Sequence, residues 1–330
     1  MQESTLRVVL IYRKRHEGVY SIEELFHSIA GELADKVEII EYETGTRWNI
    51  LKDVWQLWKL DADIYHVTGA VHYFVLLLPK KKTVLTVHDI NHYLRDLCGV
   101  KRWIYKWLWL IWPIRAAHTV TTISNETRDN IIANLGPMGK QINVIENCYS
   151  SRLKPVARHF NKDCPVILHI GTSQHKNVPR LVEALNGIKC RLVLIGQLND
   201  ELRDKLIEFD IDYVNRFNLT HDEICQQYAD CDVVSFVSLA EGFGMPIIEA
   251  QASGRPVITS NISPMREVAG LGACLVDPLD VSKIRDGIVK IINNTGYRDN
   301  LTEQGQCNVV RFSPTTITEK YLGLYKRLVR

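Results

Sequence analysis

Asp232-Val-Val-Ser-Phe-Val237, then Ser238-Leu-Ala-Glu241-Gly-Phe-Gly244, then Met245-Pro-Ile-Ile-Glu249 form the stretch on which the fold turns. Its first six residues are a short, nearly continuous apolar run, the pattern of a strand covered on both faces. Pro246 suits the first turn of a helix, where a missing N–H costs nothing, and Gly254 suits the position just past a helix end. Strand, loop and helix in this order make one crossover of a parallel sheet.

The same unit recurs along the chain. Strands are expected at Arg7–Tyr12, Val37–Tyr42, Asp63–Val67, Thr83–His88, Thr119–Ser124 and Ile142–Ile145. A second set is expected at Val166–Gly171, Arg191–Gly196, Asp212–Val214, Asp232–Val237, Pro256–Ser260 and Ala273–Val276, with helical segments between. Six strands, a loop-like stretch from Asn147 to Pro165, and six more strands predict two doubly wound α/β domains rather than one barrel. The 330 residues also exceed what one core usually holds. The expected division is 1–155, 156–312 and a closing helix at 313–330, which starts at Ser313 with Pro314 in its first turn.

The 40 basic and 38 acidic residues nearly balance, which argues against nucleic acid as a partner. Eight scattered cysteines form no C-x-x-C pair and fit inert thiols in a reducing compartment. No signal peptide is apparent at the N-terminus, so a cytoplasmic location is expected, with the inner face of a membrane left open. Lys101 to Arg115 holds four tryptophans, basic residues and no acid. Its basic anchors and aromatic rings fit an interfacial membrane helix, whereas its nearly all-round apolarity fits a buried one.

Ligands of open parallel sheets bind beyond the carboxyl ends of the strands, and the candidate residues fall there. The loop before Met245 opens a helix whose first amides lack partners and suit a diphosphate. Glu241 and Glu249, eight apart, are poor phosphate ligands but good acceptors for hydroxyls on either side of one; solvated surface charges are the alternative. Lys176, after the Val166 strand, is placed to neutralise a leaving diphosphate, or is an ordinary exposed loop lysine. Three Asp-x-Asp pairs (Asp61/Asp63, Asp210/Asp212, Asp230/Asp232) stand before strands, at the wrong end for such a site. They read as turn or cap residues, and no metal is expected.

Glu241 to Glu249 matches the E-x7-E signature of the retaining GT-B glycosyltransferases (family 4, "group 1"). The match runs on through Ala250, Gly254-Arg-Pro-Val257, Glu267-Val268 and Leu275-Val-Asp-Pro278. The chain resembles that family over essentially its whole length, most densely from Val166 to Pro278. The resemblance implies two Rossmann-like domains facing across a cleft, acceptor on the first and nucleotide-sugar on the second, with the last helix crossing back to the first domain. It implies sugar transfer from a nucleoside-diphosphate sugar, with UDP or GDP as the nucleotide, to a glycan or lipid-linked acceptor in envelope polysaccharide synthesis, without cofactor or metal.

Carried over, Glu241 contacts the donor sugar, Gly242, Phe243 and Gly244 cradle phosphate and sugar, and Glu249 holds the ribose. Lys176 meets the diphosphate, and His88 of the His88-Asp89 pair positions the sugar, with a cap of the following loop through Asp89 as the alternative. The family often has an arginine where this chain has Thr172, and a glycine pair where it has only Gly18. Both positions are counted as donor-binding. Arg13 and Arg15 are candidates for an anionic acceptor, such as a pyrophosphate-linked lipid, and His66 and His72 for lining the acceptor side; a charged loop and a packing role are the alternatives. A sugar-nucleotide epimerase or hydrolase on the same fold, or a non-catalytic donor-binding subunit, are the competing functions.

Overall fold

The computed structural model describes residues 6–14, 21–45, 49–139 and 141–329. Among these, all twelve expected apolar runs are strands. They are β1 Arg7–Tyr12, β2 Glu38–Glu43, β3 Ile64–Val67, β4 Thr83–Val87, β5 Thr119–Thr122 and β6 Ile142–Val144 in one sheet. β7 Val166–Ile170, β8 Arg191–Ile195, β9 Tyr213–Arg216, β10 Val233–Phe236, β11 Val257–Ser260 and β12 Cys274–Val276 make the other. Every recorded pairing is parallel. Central strands such as β3, β4 and β10 are buried throughout, which is why they read as largely apolar runs with no alternating solvent face. β2 is an edge strand, and its Glu38, Glu41 and Glu43 keep that edge from pairing further.

The chain divides into two units, 1–148 with 314–330, and 149–313. In the first, the order is β2-β1-β3-β4-β5-β6. One face carries a core of Leu57, Phe74, Val75, Leu110, Ile111, Ile114 and Ile131. The other packs Phe26, Ile29 and Leu33 of the helix Ser21–Leu33 against Ile317, Tyr321, Leu324 and Tyr325 of the last helix, Pro314–Leu328. Lys320 Nζ reaches Glu146 Oε2 at 2.6 Å, so the final helix is tied to this unit by charge as well as packing.

The segment 99–116 is neither a plain buried helix nor a uniform one. It runs as a helix Gly99–Tyr105, a π-helical turn Lys106–Ile111 and a short helix Trp112–Ala116. Leu110, Ile111, Pro113 and Ile114 are buried, while Val100, Trp103, Ile104, Leu108 and Trp112 are exposed.

In the second unit the order is β12-β11-β10-β7-β8-β9. The chain leaves β7 outward through β8 and β9, returns to β10 beside β7, and then runs the other way to β11 and β12. β7 and β10 are therefore the pair at which the winding reverses, with Val233 opposite Ile167 and Ser235 opposite His169. At such a pair the crossovers depart to opposite sides and leave an opening at the carboxyl ends. The helix Val178–Leu185 buries Val178, Leu181, Val182 and Leu185 on this sheet, each contributing about 1.5–3 kcal/mol against exposure. That packing fixes the loop before it.

Candidate functional site

The loops leaving β7 and β10 meet at this reversal. Lys176 Nζ lies 2.7 Å from Glu241 Oε1, joining residues 65 apart in sequence, and 4.8 Å from the centroid of the Phe236 ring. The two charged side chains are only 17% and 13% exposed, so their fields are less screened than those of a surface pair. Sequence reasoning picked both residues separately; the fold brings them together.

Three neighbours make that position possible. Gly171 has φ +95°, and a Cβ there would sit 2.7 Å from Lys176 Cε and 2.9 Å from its Cγ, so the lysine stem lies across the space a side chain would fill. Asn177 is left-handed at φ +63°, a conformation asparagine tolerates. Its Nδ2 donates to Val237 O at 3.0 Å and Pro278 O at 2.7 Å, tying the β7 loop to those after β10 and β12. Leu239 N donates to His175 O at 2.7 Å and closes the same seam.

Beyond Glu241 the chain turns through Gly244, φ +121°, into the helix Met245–Ala252. Gly244 is the N-cap and has no side chain to cap the first amides, and Pro246 lies in the first turn. A helix beginning this way directs N–H groups and positive partial charge outward. Phe243 is placed differently from a donor-facing ring: it is buried edge-on against Phe312 at 5.6 Å and anchors the loop. One turn into the helix, the half-buried Glu249 accepts a hydrogen bond from the Tyr228 hydroxyl at 2.5 Å. Burial pushes its carboxyl above the usual range, partly offset by that hydrogen bond and by the charge of Lys176. Arg255 in turn donates from Nε to Tyr228 O at 2.9 Å and from Nη2 to Ala229 O at 2.7 Å, fixing the end of the helix His221–Asp230 that carries Tyr228. Nothing in the sequence pattern marked Tyr228, because its contact with Glu249 exists only once that helix lies beside the next crossover.

Thr172 holds the loop instead of presenting a cation: its Oγ1 donates to Gln197 O at 2.7 Å, bridging the loops after β7 and β8. His169, on β7, is fully buried, and its pKa falls to about 3 through burial and the nearby charge of Lys176. It is a neutral core residue.

In the first unit, His88 follows β4, and its Nε2 lies 2.7 Å from Thr68 O at the end of β3. A carbonyl only accepts, so Nε2 carries the proton and Nδ1 the lone pair. Burial lowers the pKa of this ring, more than the carbonyl contact and Asp89 raise it, and the ring is held neutral. Arg13 is paired with Glu23, Nε to Oε1 at 2.6 Å. Arg15 and Gly18 lie outside the described residues.

The acceptor-side placement expected for His66 and His72 does not hold. His66 is wholly buried, with Nδ1 2.7 Å from Tyr325 Oη and Nε2 2.7 Å from Thr86 Oγ1, and burial takes its pKa to about 3. It clasps β3 to the last helix. His72 is buried with Nδ1 2.8 Å from Trp109 O, and its pKa falls to about 4. Both rings are spent on the core.

The Asp-x-Asp pairs do sit at turns and strand starts. Asp61 and Asp210 have φ of 42° and 50°, and Asp63 Oδ2 accepts from Arg7 N at 2.9 Å. Asp232 is buried and takes Arg158 Nε at 3.1 Å and Val166 N at 2.8 Å.

Residues 152–307 match the family model "Glycosyl transferases group 1", and residues 24–151 match "Glycosyltransferase Family 4". The chain belongs to the GT-B glycosyltransferases. The O-antigen chain mannosyltransferase B of Escherichia coli is 26% identical to this glycosyltransferase over 301 residues, covering 84% of this chain and 77% of its own. Among solved structures, sucrose-phosphate synthase of Thermosynechococcus elongatus superposes with a TM-score of 0.78 at 16% identity, covering 98% and 99% of the two chains. HepE of Anabaena, in complex with UDP and glucose, gives 0.78 at 16% identity over 98% and 100%. These likenesses establish that the glycosyltransferase has the GT-B fold of two Rossmann-like units.

Proposed function

We propose that this glycosyltransferase moves a hexose, with retention and without a metal, from a nucleoside-diphosphate sugar to a glycan or lipid-linked acceptor in cell-envelope polysaccharide synthesis. The observation that carries the reading is the Lys176–Glu241 pair at the β7/β10 reversal, beside a helix whose N-cap is glycine. The O-antigen mannosyltransferase relative supports the envelope role, and the complex of HepE with UDP and glucose supports a nucleotide-sugar donor.

In this reading the diphosphate lies against the amides of Gly242 to Gly244 and the start of the helix Met245–Ala252, where the dipole favours anions. Lys176 neutralises charge as the bond from the anomeric carbon to the phosphate oxygen breaks. The acceptor hydroxyl bonds to the same carbon from the same face, and its proton passes to the departing diphosphate oxygen. Glu241, released from Lys176 once phosphate competes for the ammonium, accepts hydroxyls of the transferred sugar. Glu249, held by Tyr228, accepts the ribose hydroxyls. His88 offers the lone pair of Nδ1 to a sugar hydroxyl, and a neutral ring suits that task better than a proton carrier. Arg13 is balanced by Glu23, so its part toward an anionic acceptor is secondary; Arg15 and Gly18 keep the acceptor and donor roles assigned to them from the sequence.

The test has two arms. A thermal-shift screen against UDP, GDP, ADP and their sugars identifies the nucleotide, since a ligand bound only by the native state raises apparent stability. Transfer is then measured for Lys176→Ala, Glu241→Ala and His88→Ala, with folding checked. Near-normal rates in all three remove the site assignment. Donor binding with no turnover toward any acceptor extract marks a donor-binding subunit instead.

A further inference from the structure

All seven tryptophans of the chain, at 48, 55, 58, 103, 107, 109 and 112, fall in the first unit. Four of the described ones are exposed: Trp55 at 58%, Trp58 at 59%, Trp103 at 64% and Trp112 at 48%. They do not stand alone. On the helix Ile50–Lys59, Leu51, Trp55 and Trp58 follow at helical spacing and all face solvent, while Leu57 is buried. On 99–116, Val100, Trp103, Ile104, Leu108 and Trp112 form a second exposed ribbon over the buried Leu110, Ile111 and Ile114.

Both ribbons rest on the same core, on one face of the first sheet. The short helix His72–Leu76 connects them. Trp58 Nε1 donates to Leu77 O at 3.0 Å, and on the other side Trp109 Nε1 donates to Ala70 O at 3.0 Å. Scattered apolar side chains are ordinary on a surface, but two ribbons of large apolar groups on adjoining elements are not.

Charge decides the occupant. Between Leu97 and His118 there are four basic residues, Lys101, Arg102, Lys106 and Arg115, and no acid. The helix Ile50–Lys59 adds Lys52 and Lys59, and Lys80, Lys81 and Lys82 lie at the start of β4. The acid within the helix Ile50–Lys59, Asp53, is buried and used by Tyr42 Oη at 3.0 Å and Gly45 N at 2.9 Å. Asp61, beyond that helix, stands 4.0 Å from Lys82 Nζ. Asp96 is paired with His92 at 2.9 Å, and Asp129 with Arg128 at 2.9 Å.

We infer that these two ribbons dock the protein on an anionic lipid surface. Tryptophan rings suit the headgroup level, and exposed lysines pair with acidic lipids while their stems lie along the apolar layer. No helix of the described residues is long and apolar enough to cross a membrane, and the contact inferred for these ribbons is a surface one. The inference does not rest on the donor site, since it uses none of the residues assigned to it.

The test is flotation of the full chain with vesicles of phosphatidylcholine alone or mixed with phosphatidylglycerol, read also by quenching of tryptophan fluorescence with brominated lipid. Wild type is expected to float with the mixed vesicles, to bind them at least about tenfold better than neutral ones, and to be released by high salt. The combination Trp103→Ser, Ile104→Ser and Trp112→Ser should abolish flotation and quenching. If it does not fold, Lys52→Glu with Lys101→Glu changes exposed side chains only and should weaken binding to mixed vesicles about tenfold or more. Either set should leave nucleotide-induced thermal shift unchanged. Equal binding to both vesicle types, binding that survives both sets of substitutions, or a stable dimer that the serine substitutions dissociate overturns the inference. The dimer result would make a second copy of the chain the occupant.

Discussion

Replacing Gly171 by alanine should reproduce the loss of Lys176 without touching it. The native φ of +95° is one an alanine rarely adopts, and its methyl would sit 2.7 Å from Lys176 Cε and 2.9 Å from Cγ. Strain of this kind costs about 1–3 kcal/mol. In a unit of this size that lowers the melting temperature by a few degrees, up to about 10 °C. The stem of Lys176 must then leave the groove beside residue 171, and with it goes the 2.7 Å contact to Glu241 that marks where the ammonium is presented. If Lys176 stabilises the leaving diphosphate, losing a group so placed lowers kcat/KM by about 10²–10³-fold. The assay is donor-dependent transfer by the folded variant, using the nucleotide-sugar found by the thermal screen, alongside Lys176→Ala and the double variant. Gly171→Ala should match Lys176→Ala within a few-fold, and the double variant should be no worse, because both remove one interaction. A folded Gly171→Ala enzyme with wild-type kcat/KM, or losses that multiply in the double variant, would refute the claim that the glycine exists to seat the lysine.

Acid should destabilise the first unit before the second. His66 and His72, with pKa values near 3 and 4, stay neutral in the folded chain, whereas unfolded histidines protonate near 6.5, so stability falls as pH drops below that value. At pH 5 the two cost the first unit roughly 4 kcal/mol, against roughly 2 for His169 in the second. Tryptophan fluorescence reports the first unit alone, and a denaturation midpoint unchanged between pH 6.5 and 5 would contradict the burial of these rings. Glu249→Gln should move stability and donor binding in opposite directions. Its carboxyl is raised in the folded state, so ionisation near neutral pH opposes folding and the amide relieves that cost while still accepting from Tyr228. Thermal stability at pH 7 should hold or rise, and donor KM should rise about 10–100-fold with the loss of a charged acceptor. A KM that stays at the wild-type value would remove Glu249 from the ribose.

The strands were legible because burial on both faces leaves its mark along a run; β4 and β10 hold only apolar residues, threonine and serine, and β3 departs from that only at His66. The loop from Glu241 to Glu249 was legible because its glycines, proline and acids each need a particular place. The histidines were not. His66 lies in a strand with no solvent face, and the partner that satisfies it, Tyr325, is 259 residues away. The segment 101–115 misled in a different way. Its apolar residues go all round, as in a buried helix, yet the core takes Leu110, Ile111 and Ile114 and leaves Val100, Trp103, Ile104, Leu108 and Trp112 exposed. Hydrophobic periodicity records which residues are apolar, and only packing shows which of them are covered.

Thr172 shifts the burden of charge in the donor site onto Lys176 under the proposed reading. Where the family resemblance implies an arginine, this chain has Thr172, whose hydroxyl is committed to Gln197 O and supplies no charge. Under the proposed reading, the negative charge of a departing diphosphate falls on Lys176 and on the amides at the start of the helix Met245–Ala252. Amides of a helix end supply only partial charge, roughly half a unit in total. The enclosure of Lys176 therefore matters more here than in a site with two cations, because a less screened ammonium acts more strongly on a nearby phosphate. Its ring support from Phe236, its resting partner Glu241 and the side-chain-free Gly171 all serve that enclosure. Asn177, next to Lys176 in sequence, makes hydrogen bonds to two separate loops, and under the same reading that anchoring holds the ammonium to a fixed position.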